Sequence, residues 1–445
     1  MAGRAFSDIA PLTKYRLLFG AALGGSVLAA LFCLFYWFTL DPARSLQVSL
    51  PGGDGRPKDA AGKGKAVDLA GVFAAGEGVA ADLPGAWPRF RGPDFDNIVK
   101  ADVKLAGSWG TEGPKRLWDV ELGEGHAAAV VLNGRVYVLD YDEDKRADAI
   151  RCLSLGDGKE IWRRAYSVAI KRNHGMSRTI PAVTEEYLVT VGPKCHVVCL
   201  DPKTGDFKWG LSMVDQLGAT EPLWYTGQCP LIDGGKVIIA PGGPDALLAA
   251  VDCATGQVVW KTPNPDKWKM SHSSVLPLTL AGTRMYVYAA VGGVVGVSPD
   301  DGKLLWSVPW NAEVVAASPV ALDDGRVFLT AGYGAGGLML RVTAKDGGFV
   351  AEVLDKHTAA EGFACEQQTP IFRDGLLYGI MPKDAGALRG QFVCYTPDGT
   401  LVWSSGQANR YGLGPFVLAD GKFYVLSDDG TLTVLEASAD KFVEV

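Results

Sequence analysis

One short pattern recurs along this chain: a tight turn, a few residues of strand, and a tryptophan. DPKTGDFKW ends at Trp209, and the variants LGDGKEIW, DCATGQVVW, SPDDGKLLW and TPDGTLVW end at Trp162, Trp260, Trp306 and Trp403. Counted from Trp118 in PKRLWDVEL, the spacings are 44, 47, 51, 46 and 97 residues. The long interval holds a unit without its tryptophan, TAKDGGFVAEV, with Ala351 in the expected place. A period of about 44 to 52 residues without helical patterning indicates an all-β fold, a β-propeller, and not a helical solenoid.

Each unit carries four short strand signals. In the second unit these are TIPAV (179–183), YLVTVG (187–192), CHVVCL (195–200) and FKWGL (207–211). The first signal recurs as QCPLI, SVLPL, ASPVA, QTPIF and GPFVL; the second follows Asp-Gly or Asn-Gly dipeptides that supply positive φ for tight hairpins. In DPKTGDFKW the Asp bonds its own turn, Pro202 presets φ and Gly205 takes the left-handed position. Phe207 and Trp209 then share one face of the outer strand, where a flat side chain wedges against the next blade. First-strand signals near His126, Arg178, Thr226, Ser273, Val315, Gln367 and Leu413 give seven blades. The final unit has no turn-and-tryptophan strand of its own. The expectation is therefore a ring closed by Arg116–Leu122 as the outer strand of the last blade, which removes open edges. Eight blades is the alternative, in which residues 87–114 form most of a further blade. The unit with Ala351 is expected to make the loosest blade contact.

The N-terminus is of another kind. Leu17–Leu40 is 24 residues without a charge, long enough to span a bilayer and lacking a small-residue cleavage site after it. Arg4, Lys14 and Arg16 precede it, so the expectation is a single-pass inner-membrane anchor: residues 1–16 cytoplasmic, the remainder periplasmic. Gly20 and Gly24 make a G-x-x-x-G, a helix-pairing face or plain lipid-facing packing. Residues 41–85, rich in Gly, Ala, Lys, Asp and Pro, read as a flexible linker. Residues 86–445 are the propeller domain, of which 86–114 are a lead-in.

A formal charge of −7 and no basic stripe argue against a nucleic-acid partner. Eight cysteines make no C-x-x-C; Cys152, Cys199 and Cys394 fall at matching places before the turns, as buried small hydrophobes do. DYDEDKRAD (140–148) resembles the start of an EF-hand loop, but Lys145 replaces the Gly at the sixth position and Arg151 the Glu at the twelfth, so it reads as a solvated hairpin loop. GYGAGG (332–337) joins two strands with no helix after it, which excludes a dinucleotide loop. No metalloprotease, P-loop or nucleophile-elbow motif is present, and no catalytic or metal-ligating residue is assigned.

The repeats stop agreeing just before each first strand, in loops that surround the mouth of a propeller's central funnel. There lie His126, His174, Arg178, Tyr225, Gln228, His272, Glu366, Gln367, Arg410 and Tyr411. Polar and aromatic groups converging on one mouth form the default ligand or partner site. The alternative is that they bond loop backbones and fill the channel with water.

The repeat, a strand followed by D-x-x-T-G-x-x-x-W, resembles the PQQ-like (pyrroloquinoline-quinone-type) propeller repeat over residues 115–445. The lead-in WPRFRGPDFDN resembles the start of BamB-like envelope propellers of planctomycete-type bacteria. That resemblance implies one of two functions. One is a protein-binding scaffold of the cell envelope that contacts other envelope or membrane proteins and needs no cofactor. The other is a quinoprotein-type dehydrogenase holding PQQ and calcium in the funnel. The vicinal cysteine pair common in such dehydrogenases is missing here, as are the insertions that carry their calcium ligands. A small-ligand or carbohydrate sensor is a third reading of the same mouth.

Overall fold

The computed structural model describes residues 9–39, 66–111, 113–171 and 176–445. The chain divides into two compact units, Met1–Gly53 and Asp54–Val445. In the first, Ile9–Thr39 forms one helix whose segment Leu18–Trp37 is long and apolar enough to cross a membrane. Residues 1–8 of the expected cytoplasmic segment, Leu40 of the expected anchor and residues 41–65 of the expected linker lie outside the described residues.

The second unit is an all-β propeller. In chain order its described residues form seven sheets: a five-stranded one, five antiparallel meanders of four strands, and a last sheet of three antiparallel strands to which Ile98–Val99 is added in parallel. We number the sheets as blades in that order. Blade two shows the pattern: Ala182–Val183, Leu188–Val191, His196–Leu200 and Phe207–Ser212, inner strand to outer. The turn signals work as the sequence requires. Asp201 Oδ1 accepts from the backbone N–H of Lys203 and Thr204, at 2.9 and 3.0 Å, and Gly205 sits at φ +72°. A bulge at Lys208 then sets Trp209 opposite Cys199.

The tryptophans are wedges. The ring of Trp162 lies against Gly205 of the next turn, Trp209 against Gly256 and Trp260 against Gly302, each so close that no Cβ fits. Trp306 departs from this: its ring packs on Gly296 and its Nε1–H points to Met285 Sδ, both in its own blade. The next unit, where Ala351 stands, extends its outer hairpin as Gly336–Lys345 and Gly348–His357, and much of the second strand is exposed. Six apolar clusters each straddle two consecutive blades, from one–two to six–seven.

A second belt runs along the innermost strands. Ile180 N–H donates to Cys229 Sγ (3.3 Å), Cys229 N–H to Ser274 Oγ (3.0 Å), Ser274 N–H to Ser318 Oγ (3.0 Å) and Ser318 N–H to Thr369 Oγ1 (2.8 Å). Four of these five residues precede a proline, which has no N–H of its own to give. Small polar side chains at that place thus tie blades two to six around the channel.

The lead-in corrects several expectations. Residues 66–81 do not behave as linker: Val72–Ala75 pairs antiparallel with Glu160–Ser167 and becomes a fifth strand on the outside of blade one. WPRFRGPDFDN runs along the inner strands. Trp87 bridges Val131, Val183 N–H donates to Pro88 O, Phe95 packs between blades three and four, and Ile98–Val99 pairs in parallel with Phe416–Ala419 of blade seven. Arg91 fixes this segment. Its buried guanidinium donates to the carbonyls of Thr369 (2.9 Å), Pro370 (2.9 Å), Phe95 (2.7 Å) and Asp96 (3.1 Å).

Arg116–Leu122 forms no strand. Trp118 and Val120 instead cover the face of blade one, and Trp118 Nε1–H donates to Leu155 O at 3.0 Å. Blade seven has its own outer segment: Glu444 bridges Leu435, and Val445 N–H reaches Val434 O at 3.0 Å. The sequence hid this because the turn there is ASADK, without glycine or tryptophan. Trp118 is a wedge without a strand.

Candidate functional site

The residues that open each inner strand occupy equivalent places in successive blades. Arg178 in blade two, Gly227 in blade three and His272 in blade four form one such row. Gly227 has no side chain because the His272 ring fills that space; a Cβ would lie 2.6 Å from His272 Nδ1. The Arg178 charge is near enough to act on the His272 ring. Burial, and next the Arg178 charge, push the His272 imidazole down to about 4, so it is neutral at ordinary pH. Burial likewise lowers Arg178, partly offset by Tyr225.

From His272 a column of stacked groups crosses to blades five and six. The Trp224 ring is 6.3 Å from His272 and 6.0 Å from Tyr333, the latter pair at an interplanar angle of 29°. Lys383 Nζ stands 4.4 Å over the Tyr333 ring and 3.3 Å from Glu366 Oε1. Local backbone positions these groups. Tyr333 lies between the second and third strands of blade five with φ +57°, a conformation costly for a bulky residue. Asp384 Oδ2 holds its loop by accepting from Gly334 N–H at 2.9 Å. Tyr333 is 50% exposed and Leu223, beside Trp224, is 45% exposed.

Of the sequence-selected residues, Arg178, Tyr225, His272 and Glu366 belong to this assembly or border it. Tyr225 is buried and its hydroxyl is engaged with the Lys171 backbone at 3.0 Å. Gln228 serves blade three: its amide group bonds both N–H and C=O of Ala240 at 2.8 Å. Tyr411 is a core residue packed edge-on against Phe392, its phenol pushed up to about 12 by burial. Arg410 is exposed and donates to Arg389 O at 2.6 Å. His126 is exposed on a loop whose backbone pairs with Ser177, and Gln367 is exposed. His174 lies outside the described residues.

Trp224, Tyr333 and Lys383 were not selected from sequence. Tyr333 and Lys383 sit between second and third strands, away from the loops before first strands where the repeat breaks. Trp224 had a signal: it is a tryptophan off the wedge position of the repeat.

DYDEDKRAD is a hairpin turn as expected, but its flanks are not solvated. Asp148 is buried and accepts from Tyr166 Oη at 2.6 Å, while Asp140 pairs with Arg151 at 3.1 Å. The seven cysteines of the propeller are buried free thiols.

A calcium–quinone pair needs convergent carboxylates for the metal and free cations for the cofactor's acids. Glu366, the buried carboxylate of the mouth, is already paired with Lys383, and Lys194 with Glu221 at 3.6 Å. Among the described residues, no three His, Cys, Asp or Glu side chains come together as a metal site.

A search of curated protein sequences finds no match. Among solved structures, BamB from Moraxella catarrhalis is similar at 13% identity, over 72% of this chain and 85% of its own, with a TM-score of 0.48. A quinohemoprotein alcohol dehydrogenase from Pseudomonas putida HK5 is similar at 13% identity, over 74% of this chain and 67% of its own, with a TM-score of 0.46. A family model described as "Outer membrane protein assembly factor BamB" matches residues 98–242, 146–267 and 244–380. Those matches run over more than half of the sequence, and on them the chain belongs to that PQQ-like, BamB-type family of β-propellers.

Proposed function

We propose that the protein is a membrane-anchored, extracytoplasmic scaffold that binds other envelope or membrane proteins at the propeller mouth. The observation that carries this reading is the column His272–Trp224–Tyr333–Lys383, assembled from four blades with its aromatic members partly open to solvent. Tryptophan and tyrosine on rigid loops supply large contact area at low entropic cost, which is the chemistry of protein-interface hot spots. The polar groups around them are committed to internal bonds, as suits a preorganised binding face more than a reaction centre. Leu17–Leu40 acts as the bilayer anchor, with the N-terminus in the cytoplasm of the inner membrane and the propeller in the periplasm.

The test is photo-crosslinking in native membranes from a benzoylphenylalanine placed at Tyr333, with an identical probe at exposed Val259 on an outer strand as control. A discrete adduct from the mouth and none from the control supports the reading. Equal or absent crosslinking from both positions overturns it.

A further inference from the structure

The strand Val72–Ala75 differs in kind from the other strands of the propeller. Blade one is complete without it, having four strands like its neighbours, Val130–Leu132, Arg135–Asp142, Ala147–Ser154 and Glu160–Ser167. No other sheet carries a fifth strand on its outer edge among the described residues. Its four side chains are all exposed, Val72 at 74% and Phe73 at 42%, so backbone pairing holds them; the apolar anchor of the segment is Leu69 just before, which packs into the seam of blades one and two against Gly210.

The surface beneath it is preformed. Arg164 is held by the body of the propeller, donating through Nε to Gly205 O of blade two at 2.7 Å. Its Nη1 then takes the carbonyl of Ala70 at 2.6 Å, and its guanidinium lies 5.4 Å from the Phe73 ring. Beyond the pairing register, Gly76 N–H and Gly78 N–H donate to Ile161 O (2.9 Å) and Glu160 O (2.8 Å), following the edge past its bulge. Gly71, Gly76 and Gly78 approach the edge so closely that a Cβ on any of them would collide with the backbone of residues 159–166. The edge therefore reads a specific pattern. It takes an extended backbone with glycine where it passes closest and an aromatic ring two residues after the first glycine, over Arg164.

We propose that the outer edge of blade one is a strand-docking site for an extended segment of a partner protein with this glycine–aromatic–glycine pattern. Residues 69–78 of the chain occupy it in cis and mask it. The proposal rests on the scaffold reading only for the identity of the partner. The site is remote in chemistry from the mouth, being a backbone edge with one cation and an apolar seat for Leu69 at Gly210. An intramolecular strand enjoys a high effective concentration, so an external strand binds only in proportion to the time the edge is vacant.

The experiment uses the full-length protein in detergent and a fluorescent synthetic peptide of residues 69–78, LAGVFAAGEG. Two variants vacate the edge: Gly76→Val, whose side chain collides with Glu160 O, and replacement of 69–78 by a Gly/Ser repeat. Anisotropy is expected to show binding at least about tenfold tighter to both variants than to wild type. Adding Arg164→Gln to the Gly/Ser variant is expected to remove that gain. Melting curves confirm that each variant is folded, and one folded variant suffices. Equal peptide binding by a folded variant and wild type, or binding indifferent to Arg164, overturns the proposal. Because the peptide assay does not involve Tyr333, its failure is distinct from failure of mouth crosslinking.

Discussion

Trp209 Nε1–H donates to the carbonyl oxygen of Cys253 at 2.7 Å, across the seam between blades two and three. The same ring lies 2.7 Å from where a Cβ on Gly256 would stand, at a turn with φ +73°. One side chain thus satisfies a buried carbonyl and fills the gap that a glycine leaves. Trp209→Ala should cost about 3–5 kcal/mol from lost burial and cavity formation. Gly256→Ala should cost on the order of 1–3 kcal/mol, from overpacking and from the left-handed backbone. Denaturant melts measure both. A double variant much less destabilised than the sum of the two would show that they act on one seam.

Arg91 is the corresponding fastener of the channel segment. Its guanidinium serves four carbonyls, two from blade six and two from its own turn. Burial lowers it to about 10, so it stays charged at neutral pH. Arg91→Ala strands buried carbonyl acceptors and should destabilise by several kcal/mol, at about 1–3 kcal/mol for each acceptor left unsatisfied. Lysine offers a compact ammonium in place of a planar fork and should rescue little. Limited proteolysis is the readout: the variant should be cleaved within 87–100 under conditions where the wild type is resistant there.

Much of this fold was legible in the sequence, and the physical reason is repetition. A turn that needs glycine at positive φ and a wedge that needs tryptophan leave marks at fixed spacing, so blades one to six could be located without coordinates. The misreadings fall where the repeat gives way to unique contacts. Ala-Ser-Ala-Asp-Lys at the last turn carries neither mark, so the outer segment near Glu444 leaves no signal in the sequence, whereas Trp118 gives Arg116–Leu122 the look of that strand. Gly71, Gly76 and Gly78 looked like linker because close backbone approach and flexibility call for the same residue. At the mouth, Arg178 and His272 were legible as polar breaks in the repeat. Tyr333 was hidden in a glycine run, and its partner Trp224 comes from a loop more than a hundred residues away. Stacking of that kind is set by ring closure and not by local pattern.

The seam between blades one and two should respond to pH in two opposite ways. Burial raises Asp148 to about 7; the Tyr166 hydrogen bond opposes this and Asp140 adds to it. A carboxyl raised in the folded state binds its proton more tightly there, so stability falls as pH rises from about 4 to 7. His196, edge-on to Tyr166, is pushed down to about 4 by burial, with Asp215 opposing and Lys194 assisting; this lowers stability as pH falls from 6.5 toward 4. Asp148→Asn keeps an acceptor for Tyr166 and carries no charge. It should raise the melting temperature at pH 8 relative to wild type and leave it nearly unchanged at pH 4. A variant equally shifted at both values would mean that Asp148 titrates normally.

If the mouth binds partners as proposed, substitutions there should separate binding from stability. Tyr333 is half exposed in a strained left-handed conformation, and the charge of Lys383 is spent on its ring and on Glu366. Tyr333→Gly removes the strain along with the ring, so the two effects on stability oppose and the net should stay within about 1 kcal/mol. Trp224 then loses its stacking partner, and any partner protein loses the most exposed aromatic of the face. Crosslinking from a probe at Leu223 should fall at least about fivefold in Tyr333→Gly, while thermal melts move by no more than a few degrees. Lys383→Met keeps the length of the side chain but leaves Glu366 buried and unpaired. It should therefore destabilise by more than Tyr333→Gly, by about 1–3 kcal/mol for a buried acceptor left without its partner. If Tyr333→Gly melts far below wild type, the stack is a structural brace. If crosslinking from Leu223 is unchanged, partners are recognised elsewhere on the propeller.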